Sequence, residues 1–226
     1  MKKTIILSLG GSLIAPDHID TAFLKRFKKI ISTFFKKNYR FVIVCGGGSI
    51  ARKFQKVASR RKSATDNYLD WLGIFATIIN ANVVRSLFGD SADRRIIQDP
   101  TKKIKSKKKV IIASGWKPGC STDYDAVLLA KNFNAKSIIN LSNVDYVYDK
   151  DPKKYKNAKK MKNISWERYR RMIPSKWKAG LNAPFDPIAA KEAQRLKLKV
   201  FVIGGNLKNF EDLMDNRGFK GTIIDN

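Results

Sequence analysis

Two glycine turns and two aspartates at helix starts are the residues of this chain whose types and spacing bear on chemistry. Residues 41–54 read FVIVCGGGSIARKF and residues 4–13 read TIILSLGGSL; in each, a run of β-formers ends in glycines and a serine. A strand, a glycine turn and a helix N-terminus leave N–H groups unpaired at the positive end of the helix dipole, which suits a phosphate or carboxylate. Two such turns on two strands point to a shared polyphosphate site. Further along, GWKPGCSTDYDAVLLAK holds Ser121, Thr122 and Asp123 in a turn made by Gly115, Pro118 and Gly119, ahead of a buried helix. In NAPFDPIAAKEAQRL, Asp186 precedes Pro187, the pattern of an N-cap followed by proline at the first helical position. Asp123 reads as a helix N-cap or first-turn acid. Capping and catalysis are compatible, because a carboxylate at a helix N-terminus is oriented and kept ionised.

Three readings compete for the 41–54 stretch. A P-loop is excluded, since no Gly-Lys-Ser/Thr follows a glycine at the required spacing. The dinucleotide fingerprint is met by Gly46, Gly48 and Ala51, with Asp66 and Asp70 near the distance of a ribose-binding acid. That acid should end a second strand, yet residues 68–88 run without a breaker beyond Gly73, too long for a strand. A tight turn with no ligand is the third reading.

The elements that must position these groups are legible. Strands are expected at about 3–9, 40–45, 109–114, 136–141 and 199–203, alternating with helices at 20–37, 49–60, 67–88, 123–133 and 187–197. Ser49 is expected to cap the second of these helices. The alternation implies an α/β fold with a largely parallel sheet between helices. Residues 89–108 read as a polar, basic connection and 142–186 as irregular sequence, and long loops are often functional.

Composition sets the bounds. The 226 residues, 43% of them hydrophobic, suffice for one large α/β domain or two small lobes. No apolar run is read as membrane-spanning and the N-terminus begins a strand, so a cytoplasmic protein is expected. Cys45 and Cys120 lack metal-ligand spacing and the single His18 cannot complete a zinc site, so no metal centre is expected. Cys45 is read as a small core residue. Lys and Arg number 46 against 19 Asp and Glu, a formal charge of +27. The charges are spread along the chain, with runs such as KKIKSKKK, and no nucleic-acid-binding motif accompanies them. They favour anionic substrates and nonspecific RNA contact.

GGGSIARKF, YLDWLGI, KPGCSTDYDAVLLA, SNVDYVYDKDPKK, KAGLNAPFDPIAAK and GTII, in that order along the whole chain, resemble the uridylate (UMP) kinases of the amino acid kinase superfamily, in particular the archaeal-type branch. The resemblance implies a three-layer αβα sandwich, the reaction of MgATP with UMP to give ADP and UDP, and a homohexamer. It implies one domain over 1–226, with the acceptor bound by about 1–135 and ATP by about 136–226. Gly10, Gly11 and Ser12 would hold the ATP phosphates, with Gly48 and Arg52 on the same side, while Gly47 would meet the UMP phosphate. Asp70 matches the acid that binds the UMP ribose. Trp116, Lys117, Pro118, Gly119, Cys120, Ser121 and Thr122, followed by Asp123, match the loop around uracil and ribose. Ser142, Asn143, Tyr148 and Asp151 match the adenine nucleotide site, and Asp186 the catalytic aspartate. Phosphoryl transfer asks chiefly for alignment and charge neutralisation.

Two positions depart from the pattern. Much of the superfamily has a lysine where this chain has Ser8, and Lys178 is the candidate to share its role. Tyr146 stands where glycine is usual, either narrowing the nucleotide site or facing outward. Two alternative functions follow: a sister kinase for another small phosphate or carboxylate acceptor, or a basic RNA-binding relative without turnover. Isopentenyl phosphate kinases would show a histidine just after the glycine run, where Ser49 to Arg52 stand.

Overall fold

The computed structural model describes residues 3–61, 63–152, 154–177, 181 and 183–226. In chain order the elements are β1 (Lys3–Leu9), α1 (Gly11–Ile14), α2 (Thr21–Thr33), β2 (Tyr39–Cys45), α3 (Gly48–Ala58), α4 (Asp66–Phe88), β3 (Ala92–Ile97), β4 (Val110–Ala113), α5 (Thr122–Asn132) and β5 (Ser137–Ser142). They continue as β6 (Val147–Tyr148), β7 (Lys160–Met161), β8 (Asn163–Ser165), α6 (Trp166–Met172), α7 (Pro187–Arg195), β9 (Lys199–Gly204), α8 (Leu207–Met214) and β10 (Thr222–Asp225).

Eight strands form one sheet in the order β3-β4-β2-β1-β5-β9-β10-β8, and β6 and β7 pair separately. From β3 to β9 every pairing is parallel, and β10 runs antiparallel to β9. The central strands read as unbroken apolar runs because both faces are covered. On one face Ile6, Val42, Ile111, Ile138 and Val200 pack against α5, α6 and α7. On the other, Leu7, Ile43, Ile112, Ile139 and Ile203 pack against α2, α4 and α8. The result is the expected αβα sandwich.

The chain leaves β1 towards β2 on one side and returns to β5 on the other, so the strand order reverses between β1 and β5. In open α/β sheets, ligands bind outside the carboxyl ends of the strands at such a point. Both glycine turns lie there, after β1 and β2.

All five expected strands are present, and eight further labelled elements, α1, β3, β6, β7, β8, α6, α8 and β10, lie in stretches read as loop or left unread. Strand β3 falls within the expected basic connection; it carries Asp93, Arg94 and Arg95 on a sheet edge, where charge hides the apolar pattern. Helix α6 falls within the irregular stretch and is anchored by fully buried Trp166 and Tyr169. Helix α8 and strand β10 complete the far side of the sheet. Helix α2 ends at Thr33, short of the expected 37, in turns closed by the Phe34 and Phe35 amides. The expectation of no membrane-length apolar segment is corrected: α4 with its extension to Ser91 is long and apolar enough by length and composition, at mean hydropathy 1.4. Its Ala81, Val84 and Phe88 nevertheless belong to the core.

The two turns touch backbone to backbone. A Cβ on Gly11 would stand 2.3 Å from the Gly46 oxygen and 2.4 Å from the Gly48 nitrogen, and Gly48 has φ of +65°. Main-chain atoms cannot rotate aside, so Gly11→Ala is expected to cost about 3 kcal/mol or more of folding stability. A urea unfolding midpoint close to that of the unaltered protein would contradict this close approach.

Candidate active site

Outside the β1/β5 reversal lies a cleft of about 270 Å³ lined by Gly10, Gly11, Ser12, Gly46, Gly47, Gly48, Arg52, Asp70, Cys120, Ser121, Thr122, Asp123, Ser142 and Asn143, among others. Residues that stand far apart in the chain therefore share one surface. A second cavity of about 270 Å³ is lined by Tyr146, Tyr148, Asp151, Met172 and Ile173, and has Asn143, Val144, Ala183 and Pro184 in common with the first. The two cavities are therefore adjacent along that shared wall. Trp116, Lys117, Pro118 and Gly119 are not in either lining. Lys117 instead places its Nζ 4.1 Å from the centre of the Trp116 ring. Lys178 lies outside the described residues.

The glycine turn after β2 presents donors. Helix α3 has Gly47 at its N-cap, makes no side-chain cap hydrogen bond and has no acid in its first turn. The expected Ser49 cap is corrected: the Ser49 hydroxyl donates to the Ala15 carbonyl at 2.7 Å. The first-turn amides are thus left to a ligand, where the helix dipole favours negative charge. Arg52 extends from the same helix and donates to the Ser12 hydroxyl at 2.9 Å, bringing a cation to the junction of the two turns.

Several residues that hold this frame escaped the sequence reading. Asn80 donates from Nδ2 to the Gly46 carbonyl at 2.8 Å, and the Thr77 hydroxyl accepts from Gly115 N–H at 2.8 Å. Both are polar residues buried on the apolar helix α4, and that mismatch was the available signal. Asp70, on the same helix, accepts from Gly119 N–H at 2.7 Å, which aims its carboxylate at the cleft.

The carboxylates gather on the opposite wall. Ser121 is the N-cap of α5, accepting from Asp123 N–H at 3.0 Å and donating to an Asp186 carboxylate oxygen. Asp123 is thus a first-turn acid, and it accepts from the Ser8 hydroxyl at 3.0 Å. Asn140, beside Ser8 in register, approaches the same oxygen at 3.4 Å. Asp186 caps α7 as expected, accepting from Ile188 and Ala189 N–H at 2.7 and 3.0 Å. Its carboxylate lies behind Ser121 and does not line the cleft, whereas that of Asp123 does.

Burial governs the protonation of this group. Loss of solvent, with the Asp186 charge adding to it, raises the Asp123 pKa to about 7. Desolvation also raises Asp125 and Asp186. For Asp186 desolvation outweighs the lowering effect of its Ser121, Ala189 and Ile188 hydrogen bonds, so capping does not hold its pKa down. Cys120 is pushed up to about 12, by burial first and then by the Asp125 and Asp186 charges, so its thiol is inert near neutrality. Cys45 is fully buried and its thiol is raised further, in keeping with a core role.

Tyr146 does not face outward: it lines the second cavity, edge-on to Tyr148 at 6.5 Å, with Lys160 Nζ 5.2 Å from its ring centre. Two rings and the Met172 and Ile173 side chains suit a flat aromatic group.

Asp123 gives a pH signature. Its folded pKa stands above the ordinary 3.8, so between 3.8 and about 7 the folded state keeps a proton that the unfolded chain has released. Stability falls as pH rises through that window and levels off above it. Asp123→Asn removes the titration, so it is expected to melt higher than the unaltered protein at pH 8, with the gap narrowing as pH is lowered towards about 4. Parallel melting curves at every pH would contradict the assignment.

Comparison with known proteins identifies the family and the fold. The profile of the amino acid kinase family matches residues 3–204. Uridylate kinase of Thermoplasma volcanium is 34% identical over 230 aligned residues, covering 100% of this chain and 99% of that protein. Uridylate kinase of Archaeoglobus fulgidus is also 34% identical, over 97% of this chain and 99% of its own. The crystal structure of uridylate kinase from Archaeoglobus fulgidus superposes with a TM-score of 0.82 at 33% identity, covering 99% of this chain and 100% of that one. UMP kinase from Bacillus anthracis shares the fold, with a TM-score of 0.77 at 21% identity and coverage of 99% and 96%.

Proposed function

The chain belongs to the amino acid kinase family, and on that premise we propose that it is an ATP-dependent UMP kinase, transferring the γ-phosphoryl group of MgATP to UMP to give ADP and UDP. The observation that carries this reading is the single cleft in which both glycine turns, the uncapped N-terminus of α3 and Arg52 face the Ser121 to Asp123 turn. The glycine turns, the α3 N-terminus and Arg52 bring donors and a cation together, as a polyphosphate requires.

In this reading the adenosine of ATP occupies the second cavity against Tyr146 and Tyr148, and its phosphates reach through the shared wall to Gly10, Gly11, Ser12 and Gly48. UMP lies at Gly47, with its ribose at Asp70 and its base towards Cys120, Ser121 and Thr122. The acceptor-binding part is then about 1–135 and the donor-binding part about 136–226. Backbone amides and Arg52 neutralise charge on the group in transfer, which aligns donor and acceptor without a covalent intermediate. Asp123 is the carboxylate that meets the reacting groups, and Asp186 acts through Ser121 and through its hold on α7. Its product places the enzyme in pyrimidine nucleotide synthesis in the cytoplasm.

Asp70 predicts substrate choice. Removing a ribose hydroxyl leaves a held carboxylate partly unpaired, at a cost of about 1 to 3 kcal/mol. A coupled ADP-release assay is expected to show UMP strongly preferred over deoxy-UMP and CMP. Equal rates on UMP and CMP would overturn the assignment.

A second copy of the chain is the partner this reading requires. Phe54 and Val57 on α3 with Tyr68, Trp71, Phe75 and Ile79 on α4 are six of the eight exposed large hydrophobic residues among those described. Only 39% of the apolar window of α4 is buried within the chain. That helix holds three charged residues, Asp66, Asp70 and Arg85, although 29% of the chain is charged. An uncharged face on so basic a protein suits a self-complementary contact. We read it as the two-fold pairing within a homohexamer. Phe75→Lys with Ile79→Lys is expected to reduce the assembly to a smaller species by light scattering, with the melting temperature of the folded unit little changed. An unaltered mass would show that assembly uses another face.

A further inference from the structure

We propose that the indole N–H of Trp177 donates a hydrogen bond to a phosphate oxygen of a nucleotide bound in the cleft, making Trp177 a substrate-binding residue of the reaction proposed above. Trp177 lines the cleft together with Leu181, Ala183, Pro184 and the two glycine turns. Its Nε1 is buried and has no hydrogen-bond partner among the described residues.

A buried donor left unpaired costs the desolvation of that group, and such groups in native proteins call for an explanation. Elsewhere the fold does satisfy a buried indole: fully buried Trp166 donates to the Leu198 carbonyl at 2.8 Å. The other unpartnered buried side-chain atoms among the described residues are Arg40 Nε and Asp125 Oδ1, and neither residue lines the cleft. Trp177 alone combines the two properties. An indole N–H is only a donor and cannot be re-aimed without moving the whole ring.

The chemistry of the partner follows from the company. The glycine turns and the α3 N-terminus bring amides and the Arg52 guanidinium to the cleft, donors that suit a negatively charged ligand rich in acceptors, with the Asp70 carboxylate also in the lining. Ala183 and Pro184, on the same wall as Trp177, also line the aromatic cavity. The indole therefore shares the cleft with residues common to both cavities.

The test compares Trp177→Phe, which keeps the ring and removes the donor, with the unaltered enzyme. The unliganded variant is expected to melt at the same temperature or higher, since an unpaired N–H has gone. Its kcat/KM for UMP with MgATP is expected to fall about tenfold. Separately, the indole N–H resonance of Trp177, assigned by its loss in the variant, is followed while UMP alone or ADP alone is added. Movement with either supports the proposal and identifies whose phosphate is met. This arm is independent of turnover, so an enzyme inactive on UMP would refute the functional reading without deciding the hydrogen bond. A resonance unmoved by both nucleotides overturns the proposal. So does an unchanged kcat/KM, or a variant that melts well below the unaltered protein, which would mark Trp177 as a packing residue.

Discussion

The approach of two backbones at the carboxyl ends of β1 and β2 is the constraint from which the site follows. Gly11 sits against Gly46 and Gly48 with no room for a side chain on any of the facing atoms. Because β1 and β2 are paired in parallel register along their whole length, the turns that follow them emerge side by side. Their amides then point the same way. The direction is fixed by the reversal of strand order between β1 and β5, which leaves a crevice at that end of the sheet. Asn80, reaching from α4 to the Gly46 carbonyl, ties the turn to the core so that its amides are oriented before any ligand arrives.

The opposite wall is built on a different principle. Asp125 and Asp186 are buried and Asp123 is half-buried at the cleft, and Ser8 is the neighbour where a cation would have offset them. A hydroxyl donor lowers the cost of a carboxylate but does not cancel it, so burial wins and the Asp123 pKa rises to about 7, while those of Asp125 and Asp186 are also raised. A proton on Asp123 removes a negative charge from the path of incoming phosphates. The same proton makes the carboxyl a donor, so this wall can meet an anion with a hydrogen bond where a lysine would have met it with charge.

Much of this was legible in the sequence, and the limits have physical causes. The parallel strands could be read because two buried faces demand continuous apolar residues, and Asp186 as a cap because Pro187 follows it. Strand β3 could not, since on an edge its arginines face solvent. Asp123 and Asp186 were visible as polar residues at helix starts, but which of them faces the cleft depends on how α5 and α7 pack together. The upward pKa shift of both could not be read for the same reason, because desolvation is a property of packing and leaves no local pattern. Trp177 carried no periodic signal at all, and only the lack of a partner for its N–H distinguishes it from a core tryptophan.

The charge of the chain and its bare apolar face belong together. At +27, two copies repel each other at long range, and exposed ion pairs return little of that cost. Association must therefore rest on a surface from which charge has been withdrawn, and α4 offers one. The helix has two faces with opposite duties. Thr77 and Asn80 turn inward to hold the Gly115 and Gly46 segments, while Trp71, Phe75 and Ile79 point outward. Covering the outer face would restrict the motion of the element that fixes Asp70 and the glycine turn. In the proposed assembly, association and orientation of the site would draw on the same helix.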